Sequence, residues 1–173
     1  YNPVVAKSVR QAIKIINEAT KKYGIFDNIV IEMARENNEE DAKKEYIKRQ
    51  KANLDEKNAA MEKAAFQYNG KKELPDSIFH GQKELATKIR LWHQQGEKCL
   101  YTGKNIPISD LIQNQYKYEI DHILPLSLSF DDSLSNKVLV LATANQEKGQ
   151  RTPFQALDSM DDAWSYHEFK TYV

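Results

Sequence analysis

The chain has 173 residues, 25 Lys and Arg against 25 Asp and Glu, and a single cysteine. That length holds one domain with an appendage around a modest core, and zero net charge is a poor footprint for a free-standing DNA binder. Cys99 alone excludes an internal disulfide and a Cys-x-x-Cys zinc knuckle, and there is neither an 18-residue apolar run nor a signal-peptide pattern, so a soluble chain in a reducing cytoplasm is expected, with no membrane partner.

In chain order, Asn2 is placed to cap a helix whose first position is Pro3. Val5, Val9, Ala12, Ile13, Ile16, Ala19 and Tyr23 form its apolar stripe at helical spacing, and Gly24 stops it. Ile29-Val30-Ile31 reads as a buried strand with Glu32 at its exit. A helix with dense mixed charge is predicted from about Asn37 to Tyr68. Ile47, Leu54, Met61 and Tyr68 recur there every seven residues, but the intermediate d positions are mostly polar. The spacing predicts a solvated connector with a thin contact seam, the alternative being a coiled-coil partner helix. Asn69-Gly70-Lys71-Lys72 and Pro75 break it, and a second helix carries Leu85, Ile89 and Trp92 as far as Gly96.

Cys99-Leu100-Tyr101-Thr102-Gly103-Lys104 reads as a short strand and turn. A β-prone run then ends in an adjacent acid–imidazole pair: Tyr118-Glu119-Ile120-Asp121-His122-Ile123-Leu124-Pro125. After a polar loop from Ser127 to Asn136, a second β-prone run, Lys137 to Leu141, leads into a short helix over Ala142 to Gly149 that carries Asn145. Ser159-Met160-Asp161-Asp162 offers a capping box for a final helix bearing Trp164, Phe169 and Tyr172.

Strand, loop, strand and helix with an aspartate, a histidine and asparagines at the element ends suit metal-assisted phosphodiester hydrolysis. That reaction needs a deprotonated water in line with the leaving oxygen, and positive charge where negative charge develops. Histidine, with an unperturbed pKa of roughly 6.5, makes His122 the natural base. Mg²⁺ prefers oxygen ligands and takes one or two protein groups beside water and phosphate, which fits Asp121 and Asn145. One difficulty is geometric: consecutive strand residues face opposite ways, so Asp121 and His122 share a site only where the strand ends, as Pro125 suggests. Lys137, Lys148 and Arg151 flank these residues and are read as phosphate contacts. Asp131 and Asp132 are read as turn residues bonded to local backbone, the alternative being contact with metal through water; Tyr101 and Tyr118 are assigned to core packing, the alternative being stacking on or support of the site, and His80, His93 and His167 to structural or solvent-facing places.

The runs Glu119 to Pro125, Phe130-Asp131-Asp132-Ser133, Asn136 to Val140 and Asn145 to Pro153 resemble the HNH nuclease domain of CRISPR type II RNA-guided effectors, the Cas-nine family, and in particular its compact streptococcal-like members. Asn2-Pro3-Val4-Val5 and Ile29 to Glu36 resemble the second RuvC segment of the same proteins. The resemblance implies an α+β fold, a ββα-metal (His-Me finger) core at about 97–152 flanked by helices. It divides the chain into a RuvC-like segment at 1–36, a helical connector at 37–78 and the HNH domain at 79–173. It implies His122 as general base, Asp121 and Asn145 as ligands of Mg²⁺ (with Mn²⁺ as a substitute), Asn136 as loop support, and Glu32 as an orphan ligand of the separate RuvC centre. The expected activity is cleavage of the guide-paired DNA strand in the bacterial cytoplasm. Expected partners are the target strand in the guide RNA–DNA heteroduplex, the guide RNA through the full-length effector, the remaining effector lobes and a phage anti-CRISPR inhibitor.

Within 97–152 there are six Lys or Arg against seven Asp or Glu, so this expectation needs other parts of the effector to present the strand. The alternatives are a stand-alone HNH restriction or homing nuclease, and a non-catalytic docking module bound by a regulator.

Overall fold

The computed structural model describes residues 3–26, 28–29 and 39–173, which fall into two compact units, Tyr1–Ile47 and Lys48–Val173. In the first, helix α1 spans Pro3–Tyr23. Gly24 ends it at φ +92°, its N–H bonding the Thr20 carbonyl at 2.9 Å, a left-handed stop that glycine adopts without steric cost. Of the expected stripe, Val9 and Ile13 are about half exposed. The predicted cap Asn2, most of the predicted strand (Val30 and Ile31) and Glu32 lie outside the described residues.

Helix α2, Glu39–Asn69, runs from the first unit into the second. Its packing differs from the expected seam. Leu54 is exposed, whereas Ala60, Ala64 and Ala65 are fully buried, with Met61 and Tyr68 against the core. Small side chains let the helix approach the core closely, so alanines form the contact that a search for large apolar residues passes over.

In the second unit, α3 (Leu85–Gln94) buries Leu85, Ile89, Leu91 and Trp92, and Trp92 Nε1 donates to the Ile106 carbonyl at 2.8 Å. The segment after it is a turn closed by a single Lys98–Asn105 bridge. Gly103 stands in it at φ +68° with Trp164 lying where a Cβ would be. Helix α4 (Ile108–Gln113) precedes the two strands, β1 (Tyr118–His122) and β2 (Lys137–Leu141). They pair antiparallel, with Tyr118 opposite Leu141 and His122 opposite Lys137.

The loop between the strands contains a single helical turn, α5 (Leu126–Ser129). Then come α6 (Ala142–Lys148), which packs across both strands, α7 (Pro153–Ala156) and α8 (Tyr166–Tyr172). The capping box of the last helix is Ser165 with Glu168 rather than Ser159 with Asp162. Asp162 adopts φ +57° and the Trp164 N–H bonds the Tyr101 carbonyl, which holds the earlier segment out of a helix. Among the described residues no helix is long and apolar enough to cross a membrane.

A two-stranded sheet leaves both edges open, and buried backbone groups there need partners. Gln95 supplies them for β2. Its Nε2 donates to the Leu139 carbonyl at 2.8 Å, and its Oε1 accepts the Leu139 N–H at 2.6 Å, so one amide side chain pairs like a third strand. Gln95→Ala orphans the N–H of fully buried Leu139 and leaves its carbonyl only the 3.4 Å bond from the Leu100 N–H. Equilibrium denaturation should show a loss of at least about 1–3 kcal/mol, the cost of one unsatisfied buried group. A change within 0.5 kcal/mol, a usual surface effect, would contradict this role.

Candidate active site

Alternation along β1 turns Glu119 and Asp121 to one face and His122 to the other. Helix α6 lies over the first face and presents Asn145 and Lys148, three residues apart and so on one side of the helix. Asn145 Nδ2 donates to Glu119 Oε2 at 2.7 Å, and Lys148 Nζ pairs with Asp121 Oδ2 at 2.8 Å. Two residues of strand rise about 6.7 Å and three of helix about 4.5 Å, near enough for the two contacts to form side by side. Lys148 also donates to the carbonyls of His122 and Gly149, at 3.3 and 3.4 Å, with its ammonium 5.6 Å from the Tyr101 ring centroid. The Tyr101 hydroxyl donates to the same Asp121 Oδ2 at 2.5 Å. Burial, and then the Asp121 charge, push that phenol far above its ordinary pKa, so it stays a donor.

Each of the two expected oxygen ligands is therefore anchored by one polar atom. The other atoms, Asp121 Oδ1 and Asn145 Oδ1, make no hydrogen bond or ion pair among the described residues. No cluster of three or more His, Cys, Asp or Glu suited to a metal forms among those residues. The donor set on offer is one carboxylate oxygen and one amide oxygen. It fits a hard divalent cation that retains water, and it does not fit structural zinc.

His122, on the opposite face, bonds through Nε2 to Asp132 Oδ1 at 2.8 Å, and Lys137 Nζ reaches the same oxygen at 2.8 Å. Hydrogen bonding from Lys137, and then from His122, holds the Asp132 carboxyl below its usual range, so it is an acceptor at neutral pH. An ionised carboxylate only accepts, which places the imidazole proton on Nε2 and leaves the Nδ1 lone pair free to take a proton. Asn136 staples the intervening loop. Its Oδ1 accepts the Leu124 N–H at 2.9 Å, while its Nδ2 donates to the carbonyls of Leu124 and Asp131, both at 2.9 Å.

Each of the three flanking cations expected as phosphate contacts is engaged within the protein. Lys148 is 1% exposed, drawn inward by Asp121 and two carbonyls. Arg151 bonds the carbonyls of Lys148 and Glu147 and the Ser159 hydroxyl, closing the end of α6. Lys137 is paired with Asp132. Two partners are not readable from the residues themselves, Asp132 for His122 and Asp121 for Tyr101. The only signal for the first was that β1 and β2 must pair with His122 near Lys137, which brings the intervening loop over the imidazole. For the second there was none, since twenty residues separate Tyr101 from Asp121.

Comparison with known proteins bears on the family. The HNH endonuclease family matches residues 99–154. The whole chain is 76% identical, over 173 residues, to a CRISPR-associated endonuclease Cas9 of Streptococcus thermophilus, and covers 15% of it. It is 44% identical over 172 residues, 99% of its length, to the Staphylococcus aureus Cas9, again covering 15%. The crystal structure of Streptococcus thermophilus Cas9 in complex with the AGAA PAM superposes with a TM-score of 0.77 at 76% identity, over 99% of this chain and 17% of that one. The chain thus spans about a sixth of the length of these relatives.

The ion pair with Lys148 gives Asp121 a structural role. Asp121→Ala leaves the Lys148 ammonium without its counter-charge, and removing one partner of a buried pair costs roughly 3–5 kcal/mol. Adding Lys148→Met to that variant should restore much of the stability, as read from denaturant midpoints. A double variant no more stable than Asp121→Ala would show that the pair carries little coupling.

Proposed function

The chain belongs to the HNH endonucleases of the Cas9 family, and from that premise we propose that it is the HNH part of a CRISPR type II effector, hydrolysing the DNA strand paired with a guide RNA to leave 5′-phosphate and 3′-hydroxyl ends. The observation that carries the reading is the pair of unengaged oxygens on Asp121 and Asn145 beside a histidine whose Nδ1 is free.

His122 Nδ1 takes the proton of the attacking water, and Asp132 holds the ring by Nε2 and stabilises the imidazolium that results. Asp121 Oδ1 and Asn145 Oδ1 would hold Mg²⁺, or Mn²⁺ in its place. The ion supplies positive charge to the phosphoryl oxygens as negative charge accumulates. Glu119 fixes which way the Asn145 amide faces, and Lys148 offsets the Asp121 charge from beneath. Asn136 keeps the loop carrying Asp132 in register with β1.

With no net charge and its nearest cations internally paired, the chain depends on a larger body to bring the strand in. That body is the rest of the effector with its guide RNA in the bacterial cytoplasm. An anti-CRISPR inhibitor covering the exposed end of β1 would block the same approach. Glu32 belongs to a second site, the RuvC centre that cuts the opposite strand.

Two substitutions in the full-length effector test this together, with each DNA strand labelled at its own 5′ end. His122→Ala should slow cutting of the guide-paired strand by roughly 10²–10⁴-fold, the usual worth of a general base, and spare the other strand. Glu32→Ala should do the reverse. Unchanged cutting of the guide-paired strand by His122→Ala would overturn the base assignment, and equal damage to that strand by both would overturn the two-site reading.

A further inference from the structure

Tyr101 is fully buried, its ring tilted against Phe169 at 6.2 Å between centroids, while its hydroxyl reaches out of the core to Asp121. Its backbone is held as well, since the Tyr101 carbonyl accepts the Trp164 N–H at 2.8 Å. A phenol fixed at ring and backbone delivers its hydrogen bond from one direction only. Asp121 sits on the last full pair but one of β1, where a carboxylate can turn about χ2 and exchange its two oxygens. Lys148, held by two carbonyls, engages the same Oδ2 as a non-directional point charge, whereas the hydroxyl adds a directional bond from a ring that is itself fixed.

We propose that Tyr101 is a positioning residue for the metal ligand: its hydroxyl holds Asp121 Oδ2 so that Oδ1 faces the ion. The inference rests on the reading of Asp121 as a ligand given above. The tyrosine touches neither the ion nor the DNA and acts only through the carboxylate. A residue confined to core packing would need the ring and not the oxygen, so Tyr101→Phe separates the two roles.

Mn²⁺ binding to the chain, followed by water-proton relaxation at a temperature below the lower melting midpoint of the variants compared, gives a readout independent of cleavage. Loss of a residue that orients a ligand costs roughly 10–100-fold in affinity. Tyr101→Phe should raise the Mn²⁺ dissociation constant by about 10-fold or more. In the guide-loaded full-length effector the Mg²⁺ concentration for half-maximal cutting of the guide-paired strand should rise by a similar factor, with the rate at saturating Mg²⁺ nearly unchanged. Asp121→Asn should abolish Mn²⁺ binding, and adding Tyr101→Phe to it should change nothing further. Wild-type Mn²⁺ affinity in Tyr101→Phe, with Asp121→Asn abolishing binding, overturns the role of Tyr101 and leaves the metal site standing. Wild-type affinity in Asp121→Asn overturns the metal site itself, and this inference with it.

Discussion

The ion pair between Asp121 and Lys148 is the constraint on which the rest of the site depends. Its lysine is buried and its aspartate partly so, it joins a strand to a helix 27 residues later, and two hydrogen-bonded carbonyls fix the lysine at its other end. A charge pair in that position tolerates little sliding, because any shift leaves an uncompensated charge in the core. With α6 pinned at Lys148, the helix period sets Asn145 one turn earlier over Glu119, so the second oxygen follows from the first. Fold and the proposed chemistry therefore share one contact, and a substitution at Asp121 reports on both.

Asp121 and His122 are neighbours that must face opposite ways, and the structure keeps them so. Asp121 looks toward α6, while His122 looks toward the loop that Asn136 ties down. The two faces carry different work: oxygen donors with a cation held beneath on one, and an imidazole oriented by a carboxylate on the other. Both reach solvent because β1 ends at His122 and nothing continues the strand past it. A strand end solves the alternation problem without a bulge. The loop must then be rigid, which explains why a single asparagine makes so many bonds to it.

Much of this was legible in the residues. The β-prone runs around Ile120 and Val140, the break after His122, and Asn145 on a following helix all follow from pattern and turn chemistry. What was not legible depends on side-chain direction over long separations. A lysine near an anionic substrate reads as a phosphate contact, yet Lys148 lies on the inward side of a two-turn helix, and only the position of Asp121 says so. Asp132 reads as a turn residue because aspartate favours turns, and the register that brings it to His122 is set by strand pairing. Ser159 and Ser165 both offer capping boxes, and the choice is made by Trp164 docking over Gly103 rather than by helix propensity. In α2 the spacing shows Met61 and Tyr68 of the contact seam but not the alanines Ala60, Ala64 and Ala65 that complete it.

We propose that metal and base occupy opposite sides of one strand end, with Asp121 Oδ1 and Asn145 Oδ1 as the ligands among the described residues. Anomalous diffraction from crystals soaked in Mn²⁺ addresses it directly. One strong peak is expected near this strand end, within bonding distance of both oxygens, with the Glu119–Asn145 and Tyr101–Asp121 bonds intact and His122 outside bonding distance. A peak bonded to His122 or to Asp132, with Asp121 and Asn145 left unligated, would contradict it.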